Sequence, residues 1–489
     1  MHRITFVQQI PERKFIYMQI NNGDKPAKPD RGQYIGRVRD YYAARPGGDL
    51  NAPLAHIRTY GCQQNVSDSE HIKGMLAEMG FGFTEEPEQA DLILFNTCAV
   101  REHAQDRVFG NVGALKNIKN RRPHTLIALC GCMVQQEHVA EKIKKSYPFV
   151  GLVFGTHVLH RFPELLYHAL AGSKRVFETP DEEGTIHEDI PVQRDGKFKA
   201  WLSVMYGCNN FCTYCIVPHV RGRERSRDPE RILEEARELV RDGYKEITLL
   251  GQNVNSYGRG EEHGVDFPEL LRRINGIPGD FLIRFMTSHP RDASRRLFDT
   301  IAECEKVARH FHLPFQSGSN RILKAMNRGY TREQYLELVD YARGAVQGIS
   351  FTSDVIVGFP GETREDFEQT LDLIRQVGFT SLFTFLYSPR KGTPAARLPD
   401  PVPIEEKTAW FREMTRLQEE IAAAQSASMV GSTRRALIEN AGEGFLEARL
   451  SENIVVRVDG GPDLIGKIAM VEITGARSWI LTGKITEVL

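Results

Sequence analysis

Cys208, Cys212 and Cys215 stand in a C-x3-C-x2-C pattern within Gly207-Cys-Asn-Asn-Phe-Cys-Thr-Tyr-Cys-Ile-Val-Pro218. Three thiolates at that spacing can hold three irons of a cubane iron–sulfur cluster and leave the fourth iron open. They do so only if the loop hangs on a rigid frame. Trp201-Leu-Ser-Val-Met-Tyr206 reads as a short β-strand, which puts the cysteines in the loop beyond its carboxyl end. A structural zinc ion is the rival. Zinc takes four ligands, usually as two separated pairs. This group has three thiols and no companion pair, with His219 close by as a fourth donor. A disulfide framework would leave one of the three thiols unpaired.

An open iron can bind the amino and carboxylate groups of S-adenosylmethionine and pass it an electron. A C-x3-C-x2-C loop that follows a strand resembles the signature of the radical-SAM superfamily. Bulk properties are compatible with such an enzyme. The 489 residues suffice for about two to four domains. No apolar stretch is long enough to cross a bilayer, and the charged start of the chain does not read as a secretory signal. The eight cysteines are therefore expected in a reducing compartment, the cytoplasm, as ligands or free thiols. A net charge of −1 does not advertise a nucleic-acid partner, so any RNA contact must rest on local charge.

Residues 1–53 are polar and rich in Gly and Pro and read as a poorly ordered extension, docked at one or two points at most. From residue 54 to 172 short apolar runs alternate with helical segments. Strands are expected at 55–60, 91–96, 125–130 and 150–154, with helices at 67–79 and 101–119 between them. That alternation predicts a doubly wound parallel sheet. Cys62 follows the first strand, Cys98 the second and Cys132 the third. Ligands of open α/β sheets bind at the carboxyl ends of strands. These three thiols can therefore converge into a second three-thiolate site, though buried free thiols are the bland alternative. Cys130 rivals Cys132 but lies within its strand, whereas Cys132 sits in the turn after Gly131. Cys304 has no cysteine neighbour and reads as a core thiol. Asn65-Val-Ser67 matches a glycosylation acceptor, which means nothing without export.

A connector with an acidic patch occupies 173–199, and a second α/β alternation fills 200–426. Strands are expected at 201–206, 245–250, 281–286, 309–313, 350–357 and 380–386. Helices are expected at 229–242, 267–275, 293–304, 331–345 and 363–377, and a long one at about 405–428. Six strands of this kind make a partial (β/α)6 barrel, open on one side, rather than a full eight. Several strand ends carry polar or glycine-rich loops suited to a cofactor. Gln252 and Asn253 follow one strand and suit its amino end. Ser317 follows another. Gly358 lets a backbone approach an adenine edge. Arg221, Arg223, Arg225 and Arg227 alternate after the cysteine loop. In an extended segment they would form one guanidinium row, matched to phosphates or a cofactor carboxylate or else paired with nearby acids. The last stretch, 427–489, holds five short strands and reads as a small OB-like barrel. Arg449, Arg457, Arg477 and Trp479 could give it one basic, aromatic face; alternatively Trp479 is core.

Long segments then carry a more specific resemblance over about residues 54–489. They are Tyr60-Gly-Cys-Gln-Gln-Asn-Val-Ser-Asp-Ser-Glu70, Asn96-Thr-Cys-Ala-Val-Arg-Glu102, Gly207–Pro218, Leu313-Pro-Phe-Gln-Ser-Gly-Ser-Asn-Arg321 and Tyr387-Ser-Pro-Arg-Lys-Gly-Thr393. The chain resembles the radical-SAM methylthiotransferase family, in its tRNA-modifying branch. The C-terminal barrel resembles a TRAM domain, which in this family holds RNA. The resemblance implies that Cys208, Cys212 and Cys215 hold the SAM-binding [4Fe–4S] cluster, and Cys62, Cys98 and Cys132 an auxiliary one. It implies conversion of N6-isopentenyladenosine beside the tRNA anticodon to its 2-methylthio derivative. One SAM is the methyl donor and a second the source of a 5′-deoxyadenosyl radical. It further implies an electron donor such as flavodoxin or ferredoxin, an iron–sulfur carrier as partner, and a monomer. The alternatives are methylthiolation of a ribosomal protein aspartate, methylthiolation of threonylcarbamoyl-adenosine in tRNA, and a non-catalytic RNA-binding protein with structural metal.

Overall fold

The computed structural model describes residues 30–45, 52–99, 102–172, 174–180, 184–261, 264–477 and 479–489. Parallel strands must be covered on both faces, and the N-terminal half meets that demand with helices between strands. Its sheet runs Gly82–Phe83, Leu54–Thr59, Leu92–Thr97, Leu126–Gly131, Leu152–Phe154 and Val176–Glu178, with every pair parallel. Leu92–Thr97 and Leu126–Gly131 are buried at every position, as central strands of a doubly wound sheet should be. Their side chains alternate between two cores. Leu92, Leu94, Leu126 and Ala128 face one; Ile93, Phe95, Ile127 and Leu129 face the other. Cys130 packs in the first of these cores, beside Leu126 and Ala128.

Two expectations for this half need correction. Part of the polar extension is ordered: Arg31–Ala43 is a helix. Asp30 caps it by accepting from the Gly32 N–H. It docks through a fully buried Val38 and through ring contacts of Tyr34 with Tyr167 and of Tyr42 with Phe81. The rest of the extension, 1–29 and 46–51, lies outside the described residues, as do 181–183 of the acidic patch. The connector is also partly structural, since Val176–Glu178 adds the sixth strand.

The central half forms an arc of six parallel strands. Lys199–Ser203, Glu246–Leu250 and Leu282–Met286 pair in register. His310–His312, Ser350–Val357 and Ser381–Leu386 do likewise. The two groups join where Ile283 bridges Val307. The arc ends at Lys199–Ser203 and Ser381–Leu386, so the barrel is partial, as expected. Most of its helices begin at side-chain caps: Asp228, Asp266, Ser294, Thr331 and Thr363 each accept a backbone N–H of the first turn. The short helix Asn320–Ala325 was not anticipated from sequence. The long helix Ile404–Ser428 packs along the arc, with Trp410 stacked on Phe367.

The last five strands close into a barrel in the order Thr433–Ala441, Leu446–Leu450, Val455–Val458, Ile480–Val488 and Ile468–Arg477. It is fixed to the amino ends of the arc's strands. Lys199, first in its strand, donates to Glu439. The Ser350 hydroxyl, also first in its strand, donates to the Glu452 carbonyl. Arg284 is the central tie: it is 7% exposed, pairs with Glu246 at 2.6 Å, and donates to the carbonyls of Leu450 and Ser451. Arg284→Met should lower stability by about 3 kcal/mol, because Glu246 would keep only Lys199 and two carbonyls would lose their donor. Urea denaturation followed by tryptophan fluorescence checks this.

Candidate metal centre

Cys62, Cys98 and Cys132 lie just past the carboxyl ends of Leu54–Thr59, Leu92–Thr97 and Leu126–Gly131, three strands adjacent in the sheet. Register does the rest: Thr59 is level with Asn96, and Thr97 with Gly131. The sheet also reverses its winding between the first two strands, the place where open α/β sheets bind ligands. Gly61 has φ +118°, and a Cβ there would lie 2.5 Å from the Cys98 Cβ, so the Cys62 loop rests directly on Cys98. The Cys62 and Cys132 thiols both point to Asn65 Oδ1, at 3.5 and 3.8 Å. Asn65 is held in turn by donating to Asn96 Oδ1 and the Thr97 carbonyl. Cys62 is exposed, whereas Cys98 and Cys132 are buried.

Cys208, Cys212 and Cys215 occupy one loop after Lys199–Ser203, at the same end of the barrel. Two backbone bonds shape it, from the Cys208 N–H to Gly222 and from the Cys215 N–H to Cys212. The two loops meet. Ala99, Cys132, Ile216 and Val220 form one apolar cluster across the seam. Gln64, two residues after Cys62, hydrogen-bonds both Ser203 and Gln252. Gln252 accepts from the Gly207 N–H, just before Cys208.

Each set has one buried guanidinium on a sulfur. Arg221 Nε donates to Cys132 Sγ at 3.1 Å. Arg328 Nη1 donates to Cys212 Sγ at 3.3 Å, while its Nη2 donates to the Pro314 carbonyl. Burial, with smaller upward pushes from Cys98 and Cys62, raises the Cys132 thiol to about 12 against the pull of Arg221. Burial likewise pushes Cys208 and Cys215 up to about 12. Ligation needs thiolates, and positive groups on the sulfurs favour that form. Among the described residues no three His, Cys, Asp or Glu side chains converge tightly enough for a single metal ion. Each set offers three thiols, which suits a cubane with one open iron, whereas a structural zinc takes four protein ligands. His219 faces the Phe211 ring instead.

The rim of the arc suits a polar cofactor. Buried polar atoms without a partner among the described residues follow four successive strands: Asn253 Oδ1, Ser288 Oγ and His289 Nε2, Gln316 Oε1, and Glu362 Oε1. Burial pushes the Glu362 carboxyl up to about 7. Asn253 Nδ2 is fixed by Asp292 and Glu224. Ser317 is fully buried within its loop and accepts from the Ser319 N–H. Gly358 has its open face against Lys407, whose Cδ would lie 2.4 Å from an added Cβ; the long helix accounts for that glycine.

The arginine row does not exist. Arg221 closes the short helix Val217–Arg221 and so stands outside any extended row, and the other three turn to separate partners. Arg221 turns inward to Asp68 and Cys132. Arg223 lies over the Phe211 ring at 4.3 Å. Arg225 donates to the Arg221 carbonyl. Arg227 is buried against Glu188 and Glu235. In the C-terminal barrel Arg449 pairs with Glu439, Arg457 lies over Phe445, and Trp479 is 60% exposed rather than core. Sequence reasoning missed Asn65, Asp68 and Arg328. Tertiary packing, not a local signal, buries this part of the helix Gln63–Glu78: Gln64, Asn65 and Ser67 to Glu70 are buried although polar.

A three-cysteine loop on the first strand of a six-stranded partial barrel defines a radical-SAM enzyme, and residues 202–374 match the radical SAM superfamily. Residues 55–155 match the uncharacterized protein family UPF0004, and 427–486 match the TRAM domain. The chain is 49% identical over 437 residues (89% of this chain, 93% of the relative) to the tRNA-2-methylthio-N(6)-dimethylallyladenosine synthase of Thermoanaerobacter pseudethanolicus. It is 50% identical over 477 residues (97% and 98%) to that of Acetivibrio thermocellus. The chain belongs to this tRNA methylthiotransferase family. Among solved structures, the radical S-adenosylmethionine methyltransferase TsrM from Kitasatospora setae is similar in fold, with TM-score 0.53 and 14% identity over 71% of this chain and 77% of that one.

Gly61→Ala should lower the iron content of the chain, because its Cβ would strike Cys98. Gly80→Ala, at φ +86° with open space around it, carries similar backbone strain and should retain full iron. Anaerobic iron analysis of both variants checks this.

Proposed function

We propose that this chain is a tRNA methylthiotransferase that converts N6-isopentenyladenosine beside the anticodon to its 2-methylthio derivative. One observation carries the reading: two three-thiol sets, each with a buried guanidinium on one sulfur, meet across a single seam. Cys208, Cys212 and Cys215 would hold the SAM-binding [4Fe–4S] cluster, and Cys62, Cys98 and Cys132 the auxiliary one. The clusters and two SAM molecules would supply the radical and the methylthio group, chemistry that amino-acid side chains lack. The chain's own task is positioning. Of the residues expected at the cofactor's polar ends, Asn253 keeps a buried Oδ1 without a partner among the described residues, with Gln252 next to it in the chain; Arg223 lies over Phe211, while Ser317 is turned into its own loop and Gly358 is closed off by Lys407. The contact between the two loops would let open irons of both clusters act on one substrate, and an adenine C2–H offers little to an ordinary acid or base. An anticodon loop presents an unstacked base at low cost. The exposed Trp479 and neighbouring Arg477 give the C-terminal barrel a stacking and phosphate-binding edge.

The same reading implies an external one-electron donor such as flavodoxin or ferredoxin, an iron–sulfur carrier, and a monomer working in the cytoplasm. Among the described residues no helix is long and apolar enough to cross a membrane. Mass spectrometry of tRNA nucleosides from a deletion strain should lose the methylthio mark, and ribosomes offered in place of tRNA should give no product. Retention of the mark in that strain overturns the proposal. Cys62→Ala should abolish methylthio product yet spare SAM cleavage, with iron falling from about eight to about four per chain; product assay and iron analysis on one preparation check both.

A further inference from the structure

Arg221 belongs to the loop of one cysteine set and touches the other. It ends the short helix after Cys215, is 6% exposed, and reaches across the seam. Its Nε donates to Cys132 Sγ at 3.1 Å, and its Nη2 donates to Asn65 Oδ1 at 3.2 Å and to Asp68 Oδ2 at 2.6 Å. A guanidinium out of water persists only where negative or strongly accepting groups face it. Asp68 supplies one such charge. The second is the Cys132 sulfur, which becomes an anion on ligation. Arg225, the neighbouring cation, is turned to the Arg221 carbonyl rather than to the sulfur.

We propose that Arg221 is a positioning residue for a cluster on Cys62, Cys98 and Cys132, raising its reduction potential through an N–H···S bond and a nearby positive charge, with Asp68 as the opposing charge. This rests on the auxiliary-cluster reading above. Reduction adds negative charge to a cluster, and potentials respond to hydrogen bonds on the ligand sulfurs and to local charge. Removing Arg221 should therefore make the cluster harder to reduce. Removing the Asp68 charge should make it easier. A residue that merely glued the two loops together would give no such opposition of sign, because loosening the seam by either route exposes the same site.

The test uses the full-length chain with Cys208, Cys212 and Cys215 replaced by Ala, so that a single cluster remains. After anaerobic reconstitution, iron is counted and the midpoint potential is read by EPR-monitored titration. The parent should hold about four irons. Against it, R221M should shift the potential negative, D68N should shift it positive, and R221K should recover part of the R221M loss. If R221M does not load, R221K and D68N still carry opposite expected signs, because lysine keeps the charge but loses the fork. A loaded parent whose variants all keep its potential, or all shift one way, overturns the inference alone. A parent without iron overturns the auxiliary-cluster reading and this inference with it.

Discussion

Adjacent parallel strands that end level can deliver side chains from distant parts of a chain to one place. Here that geometry brings Cys62, Cys98 and Cys132 together. None of the three is near another in sequence, and no local motif could hold them. The paired backbone of three adjacent strands does so; Leu92–Thr97 and Leu126–Gly131 are buried on both faces, and Leu54–Thr59 is partly covered. The cost of fixing those loops falls on the sheet core rather than on the site. The second set is built the opposite way, in one tight loop with an internal bond from the Cys215 N–H to Cys212 and outer ties to Gly222 and Met326.

The seam between these halves is unusual in being polar and buried at once. Gln64, Asn65, Ser67, Asp68, Ser69 and Glu70 all lie inside, on a helix that faces the barrel. Partners meet most of these groups: Ser203, Asn96, Arg221 and the Asp195 N–H. Buried polar networks of this kind tolerate few arrangements, because each broken bond leaves a desolvated group. A greasy interface could slide; this one is held to a single setting, which suits two halves that must share one substrate.

Much of this was legible beforehand. The strands of both halves fall within a few residues of their expected places, because strand–helix alternation bounded by turn residues is a strong local signal. The cysteine sets were legible for two different reasons, tight spacing in one and strand-end position in the other. What escaped was set by tertiary approach. Arg328 reaches Cys212 from far along the chain, and nothing in its neighbourhood marks it. Arg221 was noticed for the wrong reason: alternation was read on an extended backbone, whereas Val217–Arg221 is a turn of helix. The helix Arg31–Ala43 hid within a polar composition, since its hold on the domain comes from Tyr34, Val38 and Tyr42 packing on residues it cannot announce locally.

The C-terminal barrel is fastened beneath the arc, at the amino ends of its strands, through Lys199, Arg284 and Ser350. The thiols sit beyond the opposite ends. Strands of five residues separate the two levels by about 17 Å. The barrel and the thiols thus stand at the two ends of the arc, like the jaws of a caliper. Anything that touches both levels has to be longer than that gap, a length a single nucleoside lacks.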